Sequence, residues 1–194
     1  MEDKKAELFR CGKELFSSKG FKDTNIADIT KMAGVAVGTF YNYYPSKEKL
    51  FMEIYLAENE ALKRRMMAAL NTKDEPLKII KKVITLNHEG IKNNPILCQW
   101  YNRDVYDKIE RLFREENGLG AVEFFYQDTL TLIRAWQAEG KIRNDISSEM
   151  IMAMFTAIIN IDTHKEEIGL QYFPELQVHL TDFVLRGLTE CFRA

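Results

Sequence analysis

Proline is scarce in this 194-residue sequence, with four residues, and glycine is held to ten. So little of either, beside 46% hydrophobic residues, excludes a disordered, collagen-like or mucin-like chain. Cysteine is scarcer still: Cys11, Cys98 and Cys191 are odd in number, far apart and without a CxxC. Neither a disulfide framework nor a structural zinc site is supported by that pattern. No apolar run approaches the ~20 residues that span a bilayer. The longest, Ile151 to Ile159, is broken by Thr156. Met1-Glu2-Asp3-Lys4-Lys5 leads into no apolar h-region, so no signal peptide is read and a cytoplasmic location is expected.

Catalytic signatures are missing too. There is no HExxH, no nucleophile motif and no carboxylate recurring with His at one helical turn, so the chain is read as a non-enzyme without a cofactor. His88-Glu89 and Asp162-x-His164 bring potential metal ligands together in sequence, but residues one or two apart do not share a helix face, so no metal site is predicted. Charge of one sign is also absent, with 27 Lys and Arg against 29 Asp and Glu. The imbalance is local: 12 basic to 10 acidic residues over 1–65, and 15 to 19 over 66–194. A basic front matters only where its cations converge on one face.

What is present is helical periodicity almost throughout, with no sustained alternation of period two. The fold class is therefore all-α, with nine or ten helices. Leu8, Cys11, Leu15 and Phe16 mark a helix over about 3–18, closed at Lys19-Gly20. Short apolar groups follow up to Pro45, and Ser46 is placed to cap a helix over 47–70. The polar run 71–75 is the first candidate joint, and Pro76 suits a helix start. The break Asn93-Asn94-Pro95 precedes a broken segment over 96–117, then a long helix over 120–139. Ser147 or Ser148 caps a very apolar helix running to about His164, and Leu176 to Phe192 make the last one. The boundaries read as 1–50 for an N-terminal three-helix domain, 47–70 for a connecting helix and 71–194 for a larger helical domain.

Residues 24–50 carry the information. They form two short helices joined by a turn at Gly34, with Ile29, Val35 and Phe40 facing inward. The second helix then exposes Val37, Gly38, Thr39, Tyr41, Asn42 and Tyr43 with almost no charge. That surface suits a nucleic-acid groove: Gly38 permits close backbone approach, and Tyr and Thr hydroxyls reach phosphates. Lys47, opening the next helix, adds a phosphate-seeking ammonium. Phe16-x-x-x-Gly20-Phe21, Thr24, Ile26 to Ile29, Ala33-Gly34-Val35, Gly38-Thr39-Phe40-Tyr41, Tyr44 and Ser46-Lys47-Glu48-Lys49-Leu50 stand in one order. In that combination the stretch resembles the N-terminal DNA-binding domain of the TetR family of one-component transcriptional regulators, over about residues 5–55. The resemblance implies a helix-turn-helix with Val37–Tyr43 as recognition helix. It also implies DNA contacts by Thr24, Asn25, Ala36, Val37, Gly38, Thr39, Tyr41, Asn42, Tyr43 and Lys47. Ala36 stands where Ser is frequent in the family, which removes one hydroxyl available to a phosphate.

Over 71–194 the resemblance is one of layout, and it implies an effector-binding and dimerisation domain. Ile151, Met154, Phe155 and Ile158 crowd their helix with more apolar surface than one stripe needs, so they are expected at a two-fold interface made with the helix over 120–139. Trp100, Tyr101, Tyr106, Phe113, Phe125 and Tyr126 are candidates to line an effector pocket, with simple core packing as the alternative. Together these imply a homodimer on double-stranded DNA. The expected function is a ligand-responsive repressor, released from a near-palindromic operator by a small apolar or aromatic effector. An effector-independent DNA-binding protein is the alternative, and an all-helical enzyme a more distant one.

Overall fold

The computed structural model describes residues 2–173 and 175–189. Pro174, Cys191 and Phe192 lie outside the described residues, as does the side chain of Asp162. Among the described residues there are ten α-helices and no strand. The first four are α1 (Glu2–Asp23), α2 (Ile26–Met32), α3 (Val37–Tyr41) and α4 (Lys47–Ala69). Then come α5 (Pro76–Lys92), α6 (Arg103–Glu115) and α7 (Glu123–Ala138). The chain continues with α8 (Ser148–Asn160), α9 (Lys165–Ile168) and α10 (Glu175–Thr189). None of the helices searched is long and apolar enough to cross a membrane.

Local chemistry sets the boundaries. Ser46 Oγ accepts from Lys49 N at 3.3 Å, Ser147 Oγ accepts from Met150 N at 3.2 Å, and Pro76 opens α5. Gly34 takes φ 64°, the left-handed turn that separates α2 from α3. The first helix breaks at Gly20 as expected, where the backbone turns to φ 82°, ψ 170°, and a further helical turn runs to Asp23. Two helices depart from the sequence reading. The helix expected from residue 120 begins with a 3-10 turn, Gly120–Val122, and becomes α-helical at Glu123. The apolar helix expected to reach His164 ends at Asn160, and Ile161–His164 tightens into 3-10 geometry.

The chain forms two compact units, Met1–Arg65 with Asn87–Val122 and Met66–Leu86 with Glu123–Ala194. The first unit thus joins the N-terminal helices to residues 87–122. The physical reason is that α4 carries Tyr55, Glu58 and Lys63, whose partners Trp100, Asn94 and Asn87 all lie within 87–122. Leu62 adds a close crossing, since a Cβ on Gly90 would stand 2.2 Å from Leu62 Cδ1. In the first unit Leu8, Phe16, Phe40, Leu50, Phe51 and Ile54 are buried. Phe16 and Phe21 both pack against Phe51, at 5.1 and 4.9 Å between ring centroids. The second unit is built on Ile79, Ile80, Ile133, Trp136, Ile151, Phe155, Ile158, Leu185 and Leu188.

Candidate nucleic-acid interface and aromatic cluster

α3 is a five-residue helix held by its one buried side chain, Phe40. Its outer surface is formed by Ala36, Val37, Gly38, Tyr41 and Asn42, all exposed, with Thr39 and Tyr43 half-buried. The expected recognition segment Val37–Tyr43 is thus helical only to Tyr41. Asn42 is the C-cap, and Tyr43 N and Tyr44 N both donate to Phe40 O. Tyr44 turns inward and its hydroxyl donates to Glu53 at 3.3 Å. From Met32 to Ser46 no side chain carries a charge.

Two residues expected on this surface are used inside the domain. Thr24 is 1% exposed and its hydroxyl donates to Gly20 O at 2.8 Å, so its side chain is engaged at the α1–α2 junction. Lys47 Nζ donates to Phe21 O and to Thr24 O, each at 2.8 Å, and lies 4.4 Å from the centroid of the Phe21 ring. Burial lowers the pKa of this ammonium, with further contributions from neighbouring charges. Its first role is to tie α1, α2 and α4 together, which leaves one of its three N–H donors beyond those two bonds. Asn25 remains exposed while capping α2, its Oδ1 accepting from Asp28 N at 2.8 Å.

The six aromatic candidates are divided between the units. Trp100, Tyr101, Tyr106 and Phe113 belong to the first, and Phe125 and Tyr126 to the second. In the first unit Trp100 meets Tyr106 and Phe113 edge-on, at 5.5 and 5.3 Å. It stacks on Tyr55 at 5.8 Å with the planes 25° apart. Tyr55, absent from the sequence-derived set, joins this cluster to α4, and burial holds its hydroxyl proton tightly. Its place on the stripe Phe51, Ile54, Leu62 was the available signal. Lys63 was equally missed: its Nζ donates to Oδ1 of the buried Asn87 at 2.6 Å, and burial pushes its pKa down to about 8. Nothing in sequence separates such a lysine from its solvated neighbours Arg64 and Arg65. At the far ends of the same helices, Lys49 of α4 is ion-paired with Glu115, the last residue of α6, and with Glu116.

The residues expected at a two-fold interface all lie on α8. Ile151, Phe155 and Ile158 are buried in the second unit's own core, where α8 packs on α7 and α10, and Met154 is half-buried. Part of the apolar surface of α8 is thus covered within one chain, while Met150, Ala153 and Ala157 stay exposed. Large apolar side chains that do face outward are Met150 on α8, and Val178 and Phe183 on α10, the last two 64% and 67% exposed.

A short uncharged helix displayed after a glycine turn, on a chain with no strand among its described residues, has the form of a helix-turn-helix. Comparison with known proteins agrees. Residues 7–54 match the family of bacterial regulatory proteins, tetR family. The HTH-type transcriptional repressor KstR2 of Mycolicibacterium smegmatis is 21% identical over 201 residues, covering 95% of this chain and 90% of that protein. Among solved structures, FadR from Bacillus subtilis in complex with stearoyl-CoA aligns with a TM-score of 0.64 at 16% identity, over 94% of this chain and 98% of that one. RolR in complex with resorcinol aligns with a TM-score of 0.66 at 16% identity, over 96% and 88%. Residues 7–54 thus carry the tetR-family DNA-binding domain, and the chain along its length is similar to regulators of that family.

Proposed function

We propose that this DNA-binding regulator is a cytoplasmic homodimeric repressor that leaves a near-palindromic operator when a small apolar or aromatic effector binds. The observation that carries the effector half is the contact of Tyr55 with Trp100 and Phe113, because it joins a ring cluster to the helix that supports the DNA-binding segment. α4 begins at Lys47, whose ammonium holds the carbonyls of Phe21, at the end of α1, and Thr24, in the α1–α2 connection. A guest among Trp100, Tyr101, Tyr106 and Phe113 that moves Tyr55 therefore moves the support of α2 and α3. Switching the population from mostly bound to mostly free asks for about 3–5 kcal/mol of differential effector affinity. The FadR and RolR structures hold, respectively, a stearoyl-CoA and a resorcinol, which supports an effector with a large apolar or aromatic part.

For the dimer, the support is the outward apolar surface of α8 and α10, where Ala153 and Ala157 lie one turn apart and exposed beside Met150. A two-fold assembly would present α3 to two half-sites about 34 Å apart or slightly more. The test is operator selection from random duplexes, followed by titration of apolar and aromatic compounds. Trp100 emission is followed in a Trp136→Phe background, and operator affinity is measured with and without ligand. A compound that quenches Trp100 and lowers operator affinity is the expected result. Selected DNA whose affinity no Trp100 ligand changes would leave an effector-independent regulator.

A further inference from the structure

The side chains at the leading edge of α3, Ala36, Val37 and Gly38, have no hydrogen-bonding groups. Val37 opens the helix 46% exposed, and Gly38 follows with open space where a Cβ would stand. Ala36 before them is exposed as well. The core of this helix is served by Phe40, so Val37 is not a misplaced core residue. It shares a stripe with Tyr41, one turn on and 55% exposed. That stripe belongs to the segment matched by the tetR-family model, whose residues 7–54 include all of α2 and α3.

In the major groove every base pair displays donors and acceptors, and the one apolar group on offer is the C5 methyl of thymine. An isopropyl group set against cytosine N4 or a purine edge would strip water from polar atoms and return no hydrogen bond. Set against a thymine methyl it buries apolar surface on both sides. Gly38, with no side chain, lets the backbone come near enough for that contact. We propose that Val37 reads a thymine methyl, so that each operator half-site carries one thymine selected by its methyl group. The inference rests on the DNA-binding reading above and adds to it the base and the atom recognised.

The experiment uses the selected operator and the full chain. Its thymines are replaced one at a time by deoxyuridine, which keeps every hydrogen-bonding group and removes only the methyl. Wild-type protein is expected to lose about three- to fivefold in affinity at one position per half-site, the worth of one buried methyl. In Val37→Ala, a change at an exposed site that leaves thermal unfolding unaltered, the same replacement is expected to cost less than twofold. A C·G pair at that position binds more weakly, and 5-methylcytosine there restores part of the wild-type affinity. The proposal is overturned if no thymine responds to loss of its methyl. An unchanged penalty in Val37→Ala, or no recovery with 5-methylcytosine, overturns it as well. A pool that enriches no sequence is a different failure, since it removes the sequence-specific reading on which the proposal stands.

Discussion

Lys47 and Lys63 stand on one helix, and burial acts on both ammonium groups with different consequences. Lys47 donates to two backbone carbonyls at the α1–α2 junction. Lys47→Met is therefore expected to lower unfolding free energy by about 2 kcal/mol, the scale of charge-assisted hydrogen bonds, as read from urea unfolding. A stability left intact, together with a full unit lost from the slope of log affinity against log salt, would place the ammonium on a phosphate instead. Lys63 gives a pH signature. Its pKa falls from 10.5 to about 8 because burial disfavours the charge. Between those values the unfolded chain binds more protons than the folded one, so stability rises with pH across that window. Below pH 8 both states are protonated and the penalty is constant, about 3 kcal/mol. Lys63→Gln keeps a donor for Asn87 and removes the titration. Unfolding measured from pH 7 to 10.5 should show the variant more stable at pH 7 and the gap closing as pH rises. A gap independent of pH would show that the ammonium is solvated.

The sharpest local geometry at the level of elements is the turn inside α1. Gly20 adopts φ 82°, ψ 170°, a region essentially reserved for glycine, and its carbonyl accepts from Thr24 Oγ1 at 2.8 Å. Gly20→Ala meets no atom within 4 Å, so its expected loss of about 1–3 kcal/mol is conformational. Gly34→Ala, at φ 64°, enters the milder left-handed region and should lose less, about 1 kcal/mol. Thermal unfolding of the two variants gives the order, and a more damaging Gly34→Ala would show that the α2–α3 turn bears the greater constraint. These glycines were legible in the sequence because a turn leaves its mark in residue type. So were the helices, since Leu8, Cys11, Leu15 and Phe16 carry the period of α1, and Ser46, Pro76 and Ser147 mark helix starts. The inward turn of Thr24 and Lys47 was not legible, because a hydroxyl or ammonium is compatible with solvent, phosphate or a backbone carbonyl alike. Nor was the grouping of Asn87–Val122 with the N-terminal helices, because periodicity names a helix's buried face and not the helix that covers it.

That same limit operates at the scale of the whole molecule, where the apolar surplus of α8 showed how much surface is buried but not by what. Ile151, Phe155 and Ile158 pack with Ile133 and Trp136 of α7 and Leu185 and Leu188 of α10, so one chain accounts for them. The large apolar groups left outside on these helices are Met150, Val178 and Phe183, with Phe183 stacked on His179 at 6.4 Å. In the proposed homodimer two half-sites take two copies of α3, and a two-fold interface would use the same patch from each copy. Phe183→Glu is expected to place like charges near that axis and yield a folded monomer at micromolar concentration, with helical circular dichroism and melting close to wild type. Phe155→Glu should behave differently, since an unpaired carboxylate in the core costs several kcal/mol and unfolds the unit. Sedimentation of the three proteins at one concentration separates these outcomes. The Phe183→Glu monomer should also lose affinity for a full operator while binding an isolated half-site as wild type does. A Phe183→Glu chain that still sediments as a dimer would move the interface off the α10 face, and a monomeric wild type would remove it.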